Sequence, residues 1–286
     1  MRICVITDYE KSYSSVKLLR EAAGFGVKIF FFRWKDIVFD GTNLGFASNK
    51  KVALDSFDAV ILRSSITSLT PSSLVVNYCK HKNIRLLNEN FYLRHQSINK
   101  LTQQFIFQAK KVPCLKTIYG ENLSFSQLKT KLGSPFVAKL AKGSLGKQVF
   151  KIDSQGAFSH FLRQRKKDKQ LYLFQKFYKI SGDYRAFIIG KNVYGSLKRT
   201  APKGEWRTNV RSSKHEKVEN KQVLELGKLL IKRIGIEFAG LDILIDSSGK
   251  PRIIELNTMA CFRVFDRINP EINIAKKIIR LLKNTK

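Results

Sequence analysis

The sequence predicts a mixed fold, with an α/β unit at the start of the chain and a larger α+β unit after it. Three observations lead there. Apolar runs of strand length alternate with helix-period segments over about ninety residues, the pattern of a parallel sheet with crossover helices. Further on, strand-like runs are separated by short glycine-containing turns, as in antiparallel hairpins. The chain of 286 residues, 43% hydrophobic and 26% charged, can bury a sizeable core and is too apolar to be disordered.

Residues 2–7 (RICVIT) are the first predicted strand, Ser14 to Ala23 a helix, and Val27–Phe32 the second strand. A strand at Ala59–Leu62, a helix around Ser72–His81 and a strand at Ile84–Leu87 complete the first unit. No G-x-G-x-x-G follows the first strand, so a dinucleotide fingerprint is missing. Helices are expected at Leu101–Lys110, ending before Pro113, and at Ser124–Lys131. "SPFVAKL" (134–140) and "KQVFKI" (147–152) read as a hairpin around "AKGSLGK". Strands follow at Leu171–Phe174, Tyr184–Ile189 and Val193–Lys198. The spacing of Val223, Leu226, Leu230 and Ile234 predicts a helix over 221–234. "AGLDILID" and "RIIELN" make another hairpin around "SSGKP". Ile272–Lys283 is an amphipathic helix expected to pack on the body, with Lys276, Lys277, Arg280 and Lys283 facing out.

The 53 Lys and Arg against 22 Asp and Glu leave a formal charge of +31, which favours polyanionic or acidic partners. The densest cluster, "RQRKKDK" at 163–169, reads as an exposed turn or loop. Four cysteines without a C-x-x-C pair, and four histidines without ligand spacing, argue against structural zinc or a disulfide framework. Cys261 reads as a small buried or half-buried thiol rather than a nucleophile. The apolar runs are too short to span a membrane and no secretory segment precedes the first strand, so a cytoplasmic protein is expected.

The stretch "PRIIELN" places Glu255 and Asn257 on one face of a strand, since residues two apart share a side. Asp242, between Leu241 and Ile243, faces the same way if the two strands pair around 246–250. Two carboxylates and an amide oxygen form a hard, oxygen-only set suited to Mg²⁺, or else a solvated face. Lys139 alternates with apolar neighbours, so its ammonium points inward or snorkels at an edge. Gly143, Ser144 and Gly146 permit close approach of backbone N–H groups to phosphate, or form a plain hairpin turn. Asp183 with Arg185, and Arg207 with Asn209, alternate on strands; arginine is the cation best shaped to clamp a phosphoryl oxygen. For Arg185 a salt bridge is an equal alternative.

In this order Lys100, Lys139 with its glycine turn, "FQKFY", "DYR", "WRTN", "GLDIL" and "ELN" resemble the RimK-like branch of the ATP-grasp ligases. The resemblance spans nearly the whole chain, including "DAVILR" and "LLNEN". It implies an ATP-grasp fold over 96–286, with a central lid-bearing subdomain (96–174) and a C-terminal metal-binding subdomain (175–286), after an α/β pre-ATP-grasp domain (1–95). It implies that a carboxylate is activated as an acyl phosphate and then attacked by an amine. Carried over, Lys100, Lys139 and the Gly143–Ser144 turn meet phosphates, and the Gln175, Lys176 and Phe177 backbone meets adenine. Asp183 contacts nucleotide, while Arg207 and Asn209 serve the triphosphate end, Arg207 as the catalytic group. Asp242, Glu255 and Asn257 hold Mg²⁺ or Mn²⁺.

Three departures from the family pattern stand out, the first and third of them near where the acceptor would lie and so bearing on substrate identity. "TMACF" follows "ELN" where the family usually has a small-residue Pro-Gly turn, Lys176 stands where an acidic residue is common, and "RSSK" replaces a glycine-rich pair. The expected activity is an ATP- and Mg²⁺-dependent ligase joining an amino acid such as glutamate to an acidic peptide, a protein C-terminus or a small acid. A polyanion such as ribosomal RNA and a second copy of the chain are further expected partners, and no membrane is. The rival is a nucleic-acid- or ribosome-associated binding protein that kept the fold and lost catalysis.

Overall fold

A strand buried along nearly its whole length belongs in the middle of a parallel sheet covered on both faces. β1 (Arg2–Thr7) is such a strand. It leads through α1 (Tyr13–Ala23) to β2 (Lys28–Phe32). Three short strands, β3 (Ile37–Phe39), β4 (Leu44–Phe46) and β5 (Val52–Ala53), then form a small antiparallel sheet that the sequence did not announce. β6 (Ala59–Arg63), α2 (Leu69–His81), β7 (Arg85–Leu86) and α3 (Glu89–Arg94) follow. The parallel order is β2-β1-β6-β7. The computed structural model describes residues 1–47, 52–63, 69–95, 99–141, 148–168 and 170–284, with backbone alone for 69–70 and 166–168.

α4 (Lys100–Ala109) starts at a capping box in which Asn99 and Thr102 satisfy each other's backbone N–H groups. A second sheet, order β10-β9-β11-β8, gathers β8 (Thr117–Ile118), β9 (Phe136–Leu140), β10 (Val149–Ile152) and β11 (Tyr172–Lys176). α5 (Phe125–Leu132) and α6 (Gln155–Asp168) bury Phe136, Phe158, Phe161 and Phe174 against it. Here one expectation is corrected: most of "RQRKKDK" is the last turns of α6, not a loop. Arg, Gln and Lys are good helix formers, and basic groups suit a helix C-terminus.

The third sheet, order β14-β13-β12-β15-β16, contains β12 (Asp183–Ile189), β13 (Asn192–Thr200), β14 (Lys214–Lys217), β15 (Phe238–Ile245) and β16 (Pro251–Asn257). α7 (Lys221–Ile234) covers one face through Val223, Leu226 and Leu230, and has the bounds its periodicity predicts. α8 (Arg263–Ile268) and α9 (Ile274–Asn284) cover the other, where Phe187, Phe238 and Phe265 join a core shared with α1 and β1. α9 buries Ile274, Ile278 and Leu282 and turns its basic residues outward, where Arg280 lies over the Phe25 ring. Among the described residues no helix is long and apolar enough to cross a membrane.

Candidate active site

β16 is an edge strand, and its outer backbone groups need partners. α4 supplies them: Gln103 Nε2 donates to the Leu256 carbonyl (2.8 Å), the Leu256 N–H donates to Gln103 Oε1 (3.0 Å), and Gln104 Nε2 donates to the Ile254 carbonyl (3.0 Å). One helical turn before them, this docking sets Lys100 beside Glu255, with Nζ 3.5 Å from Oε1.

Across the β15–β16 hairpin the register runs Ile245 with Pro251, Leu244 with Arg252 and Ile243 with Ile253. A bulge then admits one extra residue, so Asp242 faces Glu255 instead of Ile254. The bulge is what brings the two carboxylates opposite one another. Arg185 Nε approaches Asp242 Oδ1 at 2.7 Å and Arg199 Nη2 approaches the same oxygen at 2.9 Å. Arg185 can reach over because residue 240 is glycine; a Cβ there would stand 2.5 Å from the Arg185 guanidinium and 2.5 Å from Ala260 Cβ. Arg199 also grips Asp183 bidentately, with Nε to Oδ1 at 2.9 Å and Nη2 on Oδ2.

Lys100, Asp183, Arg199, Asp242 and Glu255 line one cleft of about 990 Å³ counting its open mouth, set between the β8–β11 sheet and the β12–β16 sheet. The walls contain Lys100, Lys139, Gln175, Lys176, Phe177, Asp183, Arg207, Asn209, Asp242 and Glu255. Nearly every expected site residue among the described ones therefore meets in one place. Asn257 does not line it: it lies opposite Gly240, and its Oδ1 accepts from the Met259 N–H at 2.8 Å. Gly143 and Ser144 lie outside the described residues. The cleft also takes in Arg199, which the sequence does not single out, and Trp206 of the WRTN motif; the Trp206 ring meets Phe177 edge-on at 5.7 Å and extends the apolar wall.

Two local readings are corrected. Arg207 and Asn209 are on no strand: the Glu205 carboxylate accepts from the N–H groups of Trp206 and Arg207, both at 2.9 Å, and curls the chain into an irregular segment. Arg207 Nη2 closes on Glu205 Oε2 at 2.6 Å, and this bonding holds the Glu205 carboxyl down at about 2. Cys261 is exposed, because the chain has left the pleat of β16 and the buried positions go to Ala260 and Phe262.

The electrostatics suit a polyphosphate. Five cationic side chains (Lys100, Lys139, Lys176, Arg199, Arg207) and three acidic ones (Asp183, Asp242, Glu255) line the cleft. Desolvation lowers Lys139 to about 8, against the opposing pull of Glu255, while nearby Lys100 adds to the fall. The fit to a divalent cation rests on Asp242 and Glu255. Asp242 Oδ1 is buried and lacks a hydrogen bond of good geometry, despite the two arginines near it. A buried carboxylate opposite a second carboxylate is a donor set that a hard cation would complete.

The RimK-like ATP-grasp domain family matches residues 91–282 of this chain. The chain belongs to the RimK-like ATP-grasp family. It is therefore an ATP-dependent ligase, built on a family that uses ATP and a divalent metal. A probable alpha-L-glutamate ligase of Legionella pneumophila (strain Corby) is 28% identical over 99% of this chain and 95% of that protein. Human N-acetylaspartylglutamate synthase A is 30% identical over 79% of this chain and 60% of that protein. Among solved structures, the ATP-grasp ligase PsnB, in complex with a phosphomimetic variant of a minimal precursor, Mg and ADP, superposes with a TM-score of 0.73. That match is at 16% identity and covers 98% of this chain and 97% of PsnB. The macrocyclase MdnC of Microcystis aeruginosa MRC, bound to its precursor peptide MdnA, superposes at 0.74, with 13% identity and 100% of both chains covered. These two show the shared fold. Nothing in these relatives favours the RNA-associated rival.

Proposed function

We propose that this ligase joins the amine of an amino acid, glutamate first among them, to a carboxylate on a peptide, a protein C-terminus or a small acid. The observation that carries the reading is the bulge-made opposition of Asp242 and Glu255 inside a cleft whose other walls are cationic. The Legionella relative's name supports glutamate, and the precursor-bound neighbours support a peptide on the acid side.

In this reading Gln175 faces adenine. Its Nε2 donates to Thr117 Oγ1 at 2.9 Å, and the buried Oε1, without a partner among the described residues, is able to accept from the adenine amino group. The Lys176 N–H is occupied by the Lys116 carbonyl (3.0 Å), so backbone contacts to the base fall to the Lys176 carbonyl and to Phe177. Lys139 and Lys100 take phosphate oxygens. Arg207 and Asn209 attend the triphosphate end, where Arg207 stabilises the charge that develops as the carboxylate displaces ADP. Asp183 fixes Arg199 against Asp242. Asp242 and Glu255 would hold the divalent cation, Mg²⁺ or Mn²⁺, which neutralises phosphate charge when bound, and Asn257 would join them by turning its Oδ1 from the Met259 N–H. We take 1–95, 96–174 and 175–286 as the units that carry substrate, lid and metal ligands.

The experiment is a screen of ADP and phosphate release against amino-acid pools and acidic peptides, with mass spectrometry of the products. A condensation product plus ADP and phosphate is expected; AMP and pyrophosphate, or release unaffected by any acid and amine pair, would overturn the proposal.

A further inference from the structure

Arg63 ends β6 at its carboxyl end, opposite Thr7 at the end of β1. The chain leaves β1 for β2 on one side and returns to β6 on the other, so this pair marks the switch point of the sheet order. Open α/β sheets leave a ligand crevice there. Arg63 is only 6% exposed, yet no carboxylate pairs with it among the described residues. The segment that follows, 64–68, contains no Asp or Glu. The Arg63 Nη2 reaches the Met259 carbonyl at 3.4 Å, and its Nε is buried with no hydrogen-bond partner among the described residues. A buried cation without a counter-charge is costly, and arginine is the side chain best shaped to receive a carboxylate through two parallel N–H bonds.

The surroundings point the same way. Met259 belongs to the turn that follows β16, and its N–H holds Asn257 Oδ1, so Arg63 is tied to the strand end that carries Glu255 and Asn257. Tyr92 sits beside Arg63, hydrogen-bonded to Thr258 of the same turn and to Asn88. The exposed Cys261, at the end of the same turn, is also close enough to Arg63 to interact with its charge. This is the turn where "TMACF" departs from the family.

We propose that Arg63 binds a carboxylate of the amino-acid substrate, in the crevice between the carboxyl ends of β1 and β6 and the turn 258–261. The inference rests on the ligase reading above and adds the residue that selects the substrate. Heat of binding is measured for L-glutamate titrated into enzyme saturated with Mg·ADP, for the wild type, Arg63→Met and Arg63→Lys. The series is repeated with L-glutamine and with L-glutamic acid α-amide. In the wild type one of the two amides should bind at least about tenfold more weakly than glutamate. Arg63→Met should lose about ten- to a hundredfold in glutamate affinity and no longer distinguish that amide. Arg63→Lys should recover part of the loss, and Mg·ADP affinity should be unchanged in all three. Because the charge is uncompensated, Arg63→Met should melt no lower than the wild type. Unchanged glutamate affinity in Arg63→Met, or a lowered melting temperature with discrimination retained, would make Arg63 a structural residue. A wild type that binds Mg·ADP but not glutamate would overturn this proposal and leave the nucleotide site standing. A wild type that binds no Mg·ADP would instead overturn the ligase reading.

Discussion

Replacing Lys139 by methionine keeps most of the stem and removes the ammonium. In the folded protein that ammonium titrates at about 8 instead of 10.5, chiefly because it is desolvated. At 1.36 kcal/mol per pH unit, keeping it charged costs the unliganded fold about 3 kcal/mol. Lys139→Met should therefore raise the stability of the free protein, by up to about 3 kcal/mol. Its affinity for Mg·ATP should fall about ten- to a hundredfold, the worth of a hydrogen bond to a charged group, while adenosine binds as before. The pH dependence has a definite sign. Below 8 both folded and unfolded chains carry the proton and the cost is present in full. Between 8 and 10.5 the unfolded chain holds more protons, so wild-type stability rises with pH through that window and the variant lacks this slope. Polyphosphate favours the charged lysine, so ATP affinity should decline as pH rises above 8. Thermal unfolding and calorimetric titration against ATP and adenosine read all three effects. Equal losses for ATP and adenosine, or a destabilised free protein, would show that Lys139 supports the fold.

Glu255→Gln should fold normally and lose metal-dependent ATP turnover, since it removes one anionic oxygen from the pair facing Asp242; turnover within a few-fold of the wild type would sink its assignment. Gly240→Ala should destabilise by about 1–3 kcal/mol and displace Arg185 from Asp242, read as a lower denaturant midpoint together with reduced turnover. If the excess of basic residues recruits an acidic peptide, added salt should raise the KM of that peptide steeply and the KM of ATP much less, because exposed charges are screened within about 8 Å. A salt-independent peptide KM would assign the charge no role in substrate capture.

Helices with a clean apolar stripe were legible to the residue, as α7 shows, and so was the gathering of Lys100, Lys139 and Asp242 from motif order. What was not legible traces to irregular backbone. Counting back from the β12–β13 turn, Ile189 with Asn192 leads to Asp183 opposite Lys198; the irregularity after Arg185 moves the partner to Arg199. One inserted residue thus hid an arginine that holds two of the site's carboxylates. The same device in β15–β16 makes the Asp242–Glu255 pair, which an unbroken ladder would have put out of register. The i, i+2 spacing of Arg207 and Asn209 resembles a strand, but Glu205 bonds the local N–H groups and curls the chain away from pairing. Charge density alone makes the basic end of α6 resemble a loop, but the helix propensity of its Arg, Gln and Lys residues prevails.

In the proposed reaction this cleft turns a carboxylate into an acyl phosphate. The most direct measurement uses the acid that best stimulates ADP release, labelled with heavy oxygen in its carboxylate, and follows the mass of the phosphate set free. Carboxylate attack on the γ-phosphorus leaves one carboxylate oxygen on phosphorus after the amine displaces it, so one labelled atom per phosphate is expected. Phosphate carrying no label, while the amide still forms, would contradict the account.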